Sequence, residues 1–278
     1  MKIPVLLYHD VREDSFDTGR VAAKLRPYII RESVFARQME WLYDEGYKVV
    51  GAARLRDQAA GAAYKLAGGR IRTARNPYRL IGLVFDDGWK SNRTKVLPLL
   101  KKFGFTATFF VTLEYLGRTG MMDWADLSYL NLQGMEIGSH GMRHVSPRGC
   151  SDEELKSELI ESRHALEART GQRIESYSSP TGYSDERLAP LAREAGYRTV
   201  CVSRPALNDF ARKEKFSVLQ KTGIKRSMSF PTFSGIVRGD AGVYRKLRFT
   251  RACRSAVKTI IRPAGYEWVQ ARVMRSGR

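Results

Sequence analysis

The sequence predicts an α/β protein built on a parallel β-sheet, either open or closed into a barrel. Short apolar segments alternate with helical segments about six times along the chain, which is typical of repeated βα units. Polar clusters directly follow three of the apolar segments, as expected at the carboxyl ends of barrel strands. With 278 residues, of which 43% are hydrophobic, the chain is long and apolar enough for one large domain.

The predicted strands are short apolar or β-branched runs. The first extends from Ile3 to Tyr8 and ends at His9 and Asp10. The apolar run at 80–85 and the segment TATFFVT have the composition of buried strands. The strands expected after the first lie at 47–50, 80–85, 106–112, 135–138, 176–179 and 198–202.

The predicted helices are indicated by amphipathic spacing and by capping residues. Ser33 is expected to cap a helix that ends at Gly46. Ser151 and Glu154 form a capping box at the start of a longer helix. Residues 51–78 are expected to form a helix and an exposed loop. The remaining helices are predicted at 98–103, 124–133, 152–170 and 184–196.

The formal net charge of +19 predicts an anionic partner or surface, such as nucleic acid, anionic lipid or a phosphorylated substrate. About half of the excess lies in residues 238–278, which contain eleven Lys or Arg residues and two acidic residues. The sequence contains no helix-turn-helix, zinc-finger or RNA-binding signature, so we expect no nucleic-acid partner.

The cysteines and the N-terminal segment bear on the compartment. Cys150, Cys201 and Cys253 are far apart and have no CxxC spacing, which argues against a disulfide framework or a cysteine zinc site. The apolar run at 3–8 is too short for a signal peptide, and no window approaches the ~20 apolar residues of a membrane span. We therefore expect a cytoplasmic protein, with peripheral attachment to the inner face of the membrane as an option.

Polar clusters at three predicted strand ends form the candidate site. They are Asp86-Asp87, the pair His140 and His144, and Pro180-Thr181-Gly182. Two histidines and a carboxylate are suitable ligands for a divalent metal, and a second carboxylate could act as a base. Taken singly, Asp-Asp-Gly could be only a turn, and the histidines could be solvated loop residues. Their shared position at strand ends favours a joint site.

The chain resembles the polysaccharide deacetylase family, carbohydrate esterase family 4, which contains the NodB-homology domain. The resemblance covers residues 2–225. It is carried by the segments PVLLYHDV (4–11), VFDDGWKSN (84–92), TATFFVT (106–112), MEIGSHGMRHVS (135–146) and YSSPTGYSDERLAPLAREAGY (177–197). The family fold is a distorted, incomplete (β/α) barrel, and its members remove acetyl groups from N-acetylated amino sugars in polymers or lipid-linked glycans.

The resemblance implies roles for the matching residues. Asp86 would be the catalytic base, and Asp87, His140 and His144 would hold one divalent metal. Zinc is expected, with cobalt, nickel or manganese as alternatives. Pro180 and Thr181 would line the substrate site, and the backbone N–H of Thr181 is a candidate donor to the oxyanion.

The sequence departs from the family pattern at two functional positions. Many members have an Arg in the third motif that pairs with the base, whereas Ser178 and Ser179 occupy that region here. Many also have a late histidine that acts as the general acid, and this chain has no histidine after His164. His9 could act as the acid or bind substrate, or it could have a structural role.

Two aromatic residues flank the motifs and are candidate substrate contacts. Trp89 and Tyr183 could stack on a sugar ring, or they could simply close the mouth of the barrel.

The sequence predicts two parts, a deacetylase-like domain at 1–225 and a basic extension at 226–278. The extension contains a predicted amphipathic helix at 248–262. Its basic face could bind an anionic membrane surface, or the helix could dock on the domain. The basic face comprises Arg248, Arg251, Arg254, Lys258 and Arg262, and the opposite face comprises Phe249, Cys253, Ala256, Val257 and Ile260.

Two classes of function remain open from the sequence. The first is a metal-dependent N-deacetylase of amino sugars. The second is a catalytically impaired, glycan-binding relative, which would account for the missing arginine and histidine. The presence of Asp86 and all three candidate metal ligands favours the enzyme.

Overall fold

The computed structural model describes residues 2–67, 79–210 and 216–260. Within these ranges the chain forms twelve β-strands and eight α-helices. The strands are β1 (Lys2–Ile3), β2 (Val5–Tyr8), β3 (Asp10–Arg12), β4 (Ile29–Arg31), β5 (Lys48–Val50), β6 (Leu80–Phe85), β7 (Thr108–Val111), β8 (Glu136–Ser139), β9 (Ser176–Ser178), β10 (Thr199–Ser203), β11 (Asn208–Asp209) and β12 (Ser217–Gly223). The helices are α1 (Glu32–Asp44), α2 (Ala52–Ala67), α3 (Leu97–Lys102), α4 (Trp124–Leu132), α5 (Asp152–Thr170), α6 (Leu188–Glu194), α7 (Phe230–Arg238) and α8 (Ala241–Ile260).

Seven parallel strands of the described chain close into a barrel in the order β2-β12-β10-β9-β8-β7-β6, and β6 pairs with β2 to complete the ring. The ring is distorted, because β8 and β9 share a single register pair, Ser139 opposite Tyr177. In addition, β5 pairs with the first half of β6 while β7 pairs with its end. In the described chain the ring has seven strands rather than the eight of a complete (β/α) barrel. This architecture confirms the predicted distorted, incomplete (β/α) barrel.

Alternation along the strands separates the inside of the barrel from the layer beneath the helices. In β2, Val5 and Leu7 belong to an inner cluster, whereas Leu6 and Tyr8 belong to the larger outer cluster. Because successive side chains of a strand point to opposite faces, every second residue of each barrel strand points into the interior. The same rule places polar residues inside the barrel near the carboxyl ends of β6 and β12.

Most predicted elements are present, with shifts at their ends. Strand β6 has the predicted bounds. Helix α5 begins at the predicted capping box, in which Ser151 accepts from the backbone N–H of Glu154 and Glu154 accepts from that of Ser151. Strand β12 was not predicted, because its sequence, SVLQKTG, has only two apolar residues, does not alternate, and contains a lysine.

Two predicted helix starts are wrong for local reasons. Because β4 leads directly into α1, the N-cap position falls on Arg31, and the backbone N–H and hydroxyl of Ser33 donate instead to Asp14. The helix predicted from residue 184 begins at Leu188, because Asp185 accepts from the backbone N–H of Arg187 and forms a turn there.

The segment after residue 225 packs on the barrel through α7 and the first part of α8. Phe233, Ile236 and Tyr244 are buried in the outer cluster. Further along α8, the Phe249 side chain is 71% exposed, so the described part of the predicted apolar face is not docked there. The side chains of 254–260 and all of 261–278 lie outside the described residues. The division of the chain at residue 225 stays a prediction.

In the described ranges, none of the helices combines the length and apolar character needed to cross a membrane.

Candidate metal centre and active site

The three polar clusters predicted from the sequence meet at the carboxyl end of the barrel. Asp86 and Asp87 follow β6, His140 follows β8, and Thr181 follows β9. All four line one cavity of about 700 Å³. The cavity therefore joins residues that are far apart in sequence, as expected when parallel strands end at a common face.

Asp87, His140 and His144 place three ligand-type atoms close together. Asp87 Oδ1 lies 3.5 Å from His140 Nε2 and 3.4 Å from His144 Nε2. All three atoms lie within 4.8 Å of one another. Ligand atoms about 2.0–2.1 Å from a tetrahedral zinc ion lie about 3.4 Å apart, so the two measured separations suit such an ion.

Hydrogen bonds around the trio direct the ligand atoms inward. His140 Nδ1 lies 2.6 Å from the carbonyl oxygen of Ser178. Because a carbonyl can only accept, Nδ1 carries the hydrogen and Nε2 keeps its lone pair. The Trp89 indole N–H donates to Asp87 Oδ2 at 3.2 Å, which leaves Oδ1 directed toward the histidines. This donor set fits a divalent metal.

The backbone at the site adopts conformations that non-glycine residues rarely occupy. Asp87, His144 and Thr181 have φ values of 78°, 60° and 58°, and in the described chain only one other non-glycine residue, Arg79, has a positive φ. Such conformations cost of order 1–3 kcal/mol each and persist only where the surrounding structure enforces them. Their concentration at one cavity indicates that side-chain placement there is maintained at a cost in stability.

Glu158 on α5 anchors the loop that carries the two histidines. This buried carboxylate accepts hydrogen bonds from the backbone N–H of Met142 at 2.7 Å and of Arg143 at 3.2 Å. It also accepts from Arg143 Nε at 2.7 Å. Since His144 directly follows these residues, Glu158 fixes its position without contacting the ligand trio.

Asp86 lies beside the trio and forms a buried ion pair with Lys221 from β12. Lys221 Nζ lies 2.6 Å from Asp86 Oδ2, and the lysine side chain is fully buried. The Ser178 hydroxyl donates to Asp86 Oδ1 at 3.0 Å and accepts from Lys221. Asp86 Oδ2 lies 4.0 Å from His140 Nε2. The carboxylate is therefore held against the metal-type site.

Burial and neighbouring groups act in opposite directions on the pKa values of the two aspartates. Burial raises the pKa of Asp86, but the neighbouring Lys221 ammonium outweighs it, and the pKa lies below its ordinary value. Burial also raises the pKa of Asp87, yet the adjacent His140 and His144 rings bring it well below its ordinary value. Both side chains are ionised at neutral pH.

Residues after β6 hold the end of the first barrel strand against the site. The Ser91 hydroxyl donates to Asp10 at 2.6 Å, and the Asn92 amide donates to the carbonyl oxygen of His9 at 2.9 Å. The His9 ring packs on Tyr28 with its centroid 4.6 Å away and lines the cavity. Burial lowers the pKa of His9 despite the nearby carboxylates, so the imidazole is neutral at pH 7.

The structure separates the predicted substrate contacts into two groups. His9, Trp89 and Thr181 line the cavity. Pro180 and Tyr183 are not among the described lining residues. Pro180 is buried within the turn, and the Tyr183 ring packs near the Arg148 guanidinium, 5.9 Å away. Direct substrate contact by Pro180 and Tyr183 stays a prediction.

Neither Lys221 nor Glu158 was identified from the sequence as a residue that supports the site. A signal for Lys221 was present, because in SVLQKTG it lies two positions after Leu219 and so shares the inward face of the strand. Glu158 lies in a helix rich in charged residues, and no feature of that pattern distinguishes it from its exposed neighbours.

The closed parallel barrel and its Asp-His-His trio define an α/β-barrel protein with a candidate metal centre at the carboxyl ends of its strands. Residues 73–200 match the model of the polysaccharide deacetylase family. This match covers slightly less than half of the chain, and over that range the chain is similar to the family.

Two relatives illustrate the extent of the similarity. The Bacillus subtilis (strain 168) protein YxkH, whose name assigns it to the polysaccharide deacetylases, is 24% identical over 237 residues, which are 85% of this chain and 76% of YxkH. A peptidoglycan-N-acetylglucosamine deacetylase from Bacillus cereus is 30% identical over 126 residues. That match spans 45% of this chain and 57% of the relative.

Solved structures share the fold at low sequence identity. The Streptococcus pyogenes deacetylase PplD, solved in complex with acetate, has a TM-score of 0.66 at 20% identity and covers 82% of this chain and 95% of its own. A polysaccharide deacetylase from Bacillus cereus has a TM-score of 0.67 at 19% identity and covers 85% of this chain and 69% of its own.

Proposed function

We propose that this protein is a metal-dependent hydrolase that removes an N-acetyl or other N-acyl group from an amino sugar of a polysaccharide or lipid-linked glycan. The observation that carries the proposal is the convergence of Asp87, His140 and His144 beside the buried carboxylate Asp86 in one cavity. The match of residues 73–200 to the polysaccharide deacetylase family supports it.

Asp87, His140 and His144 would hold one divalent ion, with zinc expected and cobalt, nickel or manganese as alternatives. Three protein ligands match catalytic sites, which keep further coordination positions open. When bound, such an ion lowers the pKa of a water molecule and polarises the carbonyl of the acyl group.

Asp86 is the proposed base. Its carboxylate stays ionised because Lys221 and Ser178 bind its two oxygens, and each oxygen keeps a further lone pair for a proton. It would accept a proton from the attacking water. Lys221 would thus supply to the base the positive charge that an arginine in the third motif supplies in many family members.

The turn after β9 and two aromatic rings would position the substrate. The left-handed conformation of Thr181 shapes this turn at the cavity, where its backbone N–H is the proposed donor to the oxyanion. Neutral His9 would hydrogen-bond the sugar, and Trp89 would contact the ring.

The names of relatives support an N-acetylated sugar as the substrate. One is described as acting on peptidoglycan N-acetylglucosamine, and another, from Escherichia coli (strain K12), on poly-β-1,6-N-acetyl-D-glucosamine. The alternative, a glycan-binding relative without activity, is disfavoured because Asp86 and the complete ligand trio share one cavity.

The proposal is tested by assaying acetate release from N-acetylglucosamine oligomers with the zinc-loaded protein, alongside Asp86→Asn. Release by the parent protein at a rate at least about 100-fold above the variant would support it. If the zinc-loaded parent protein releases acetate neither from these oligomers nor from acetylated glycan phosphates, the proposal is refuted.

A cytoplasmic location at an anionic membrane surface stays a proposal, motivated by the basic extension and by exposed Phe249 on α8. Co-sedimentation with anionic vesicles should fall when the residues after 238 are removed. Unchanged binding would contradict the membrane contact.

A further inference from the structure

The Arg12 side chain borders the cavity beside the candidate metal centre, and neither the ligand trio nor the proposed base uses it. It lies at the end of β3 and lines the same cavity as Asp87 and Trp89. Its side chain is 27% exposed, so part of the side chain faces the open space of the cavity.

Asp10 holds the Arg12 guanidinium in place. Arg12 Nε donates to both oxygens of the Asp10 carboxylate, at 3.0 and 2.8 Å. Asp10 is itself buried and accepts from the Ser91 hydroxyl at 2.6 Å. The carboxylate therefore orients the guanidinium through Nε and leaves its two terminal nitrogens uncovered.

Two aromatic rings pack near the same guanidinium. Its Cζ atom lies 5.0 Å from the centroid of the Phe16 ring and 6.0 Å from that of the Trp89 ring. Arginine stacks on aromatic faces without using its N–H donors. The Trp89 indole also donates to Asp87 Oδ2, so a single side chain connects Arg12 with a candidate metal ligand.

The terminal nitrogens of Arg12 are unused donors. Within the described ranges, no protein group accepts a hydrogen bond from Nη1 or Nη2, and only Nε is engaged. A guanidinium carries its N–H donors in a rigid planar fork. Arg12 thus presents a preoriented fork of donors at the cavity.

Assuming the proposed function, we propose that Arg12 is a substrate-binding residue whose two terminal nitrogens donate to neighbouring hydroxyl groups of the amino sugar. The Asp10 carboxylate balances the charge of Arg12. A balanced pair attracts an anionic substituent only weakly, whereas the hydroxyl oxygens of a neutral sugar can accept from both nitrogens of the fork.

This contact would set the orientation of the sugar ring. The acyl group would lie at Asp87 and the two histidines, while the hydroxyl groups would lie at Arg12, on the other side of the Trp89 indole. A forked contact carries geometric specificity as well as energy. Lysine, a point donor on a flexible stem, cannot reproduce it.

The test measures equilibrium binding of sugars to the metal-free full chain by ligand-observed NMR, so that turnover does not interfere. The probes are the methyl glycoside of N-acetylglucosamine and its 3-deoxy, 4-deoxy and 6-deoxy forms. The parent protein should bind at least one deoxy probe about tenfold more weakly than the complete sugar, because a charged donor loses its acceptor. Arg12→Lys should bind the complete sugar about tenfold more weakly than the parent and should no longer distinguish it from that deoxy probe.

A second variant covers a loss of folding in Arg12→Lys. The double variant Asp10→Asn/Arg12→Gln removes both members of the ion pair and leaves no unpaired charge. It should show the same loss of affinity and of discrimination. Circular dichroism verifies that each variant is folded.

Arg31→Lys is the matched control, because Arg31 lies opposite Arg12 in the β3–β4 register, is exposed, and is absent from the described cavity lining. It should rank the probes as the parent does. The proposal is overturned if the parent binds all four sugars equally, or if folded Arg12 variants keep the parent's discrimination. Tighter binding of N-acetylmuramic acid than of N-acetylglucosamine, lost in Arg12→Lys, would assign Arg12 to a carboxylate and also overturn it.

This binding assay is separable from the proposed activity. Discrimination that depends on Arg12, without acetate release by the zinc-loaded parent, would sustain the Arg12 contact and refute the deacetylase. Acetate release without such discrimination would do the reverse.

Discussion

Lys221 Nζ lies 2.6 Å from Asp86 Oδ2 inside the barrel, where the lysine is fully buried. Lys221 lies in β12 and Asp86 directly follows β6, and these two strands are separated in the ring by β2. Breaking a buried pair by removing one partner leaves an uncompensated charge, which costs about 3–5 kcal/mol. The pair therefore connects barrel stability with the ionisation of the proposed base.

Lys221→Met should lower kcat/KM and move its acidic limb to higher pH. The folded-state pKa of Asp86 is depressed in part by Lys221, so removal of the ammonium raises it, and more alkaline conditions are needed to ionise the base. The measurement is kcat/KM against pH with zinc-loaded protein. Lys246→Met, which removes an exposed charge, should leave the limb in place. An unshifted limb in Lys221→Met would show that Lys221 does not tune the base.

His144→Ala should abolish stoichiometric metal binding. The parent protein is expected to hold about one equivalent of zinc or a similar ion after reconstitution, since three ligands suffice for a catalytic site. Metal content after gel filtration is the measurement. His164→Ala provides the control, because that histidine is exposed on α5. Equal metal content in all three proteins would rule out the Asp-His-His trio as the binding site.

Glu158→Gln should weaken metal binding without contacting the metal. The substitution weakens the charged acceptor that holds the backbone of Met142 and Arg143, and outer hydrogen-bond partners typically contribute 10–100-fold in affinity, so about tenfold is expected here. A competition titration with a zinc-sensitive chelator measures the effect. Glu161→Gln, one turn away and exposed, should match the parent. If both variants bind zinc equally well, the loop does not depend on Glu158.

Gly182→Ala should reduce both stability and activity. A Cβ at this position would lie 2.1 Å from Ser203 Cβ, and the φ of +67° is unfavourable for alanine. We expect a loss of about 1–3 kcal/mol in the free energy of unfolding, together with displacement of the neighbouring Thr181. Urea unfolding measures the first effect and acetate release the second. Gly149→Ala has open space around its Cβ and should be neutral. A fully stable, active Gly182→Ala protein would contradict the close contact between the turn after β9 and the end of β10.

The sequence pattern was sufficient to predict a parallel sheet with polar residues at its strand ends, and the family resemblance predicted that the sheet closes into a barrel. The apolar run before Asp86-Asp87 and the segment before His140 are local patterns that define strand and loop directly. The prediction that these ends share one face follows from the parallel connection of strands. The cavity at that face confirms the shared position of Asp86, Asp87, His140, His144 and Thr181.

Residues that act through long-range contacts could not be assigned in this way. Lys221 is 135 residues from Asp86, and Glu158 binds a loop that its own helix does not include. Their partners are set by the closure of the ring and by helix packing, which local periodicity does not encode. The starts of α1 and α6 were missed for local reasons, because β4 leads directly into α1 and Asp185 accepts from the backbone N–H of Arg187.

The closure of the ring by β12 also has a consequence for how the chain is made. Lys221 is in register with Val5. Strand β2, near the beginning of the chain, therefore cannot pair with β12 until β12 has left the ribosome much later. By then Asp87, His140 and His144 have all been synthesised, and the unpaired edges of β2 and β10 remain open to other chains. Vectorial synthesis thus delivers the candidate metal ligands first and the partner of the proposed base last. We therefore expect catalytic competence to appear only once the final barrel strand has been inserted.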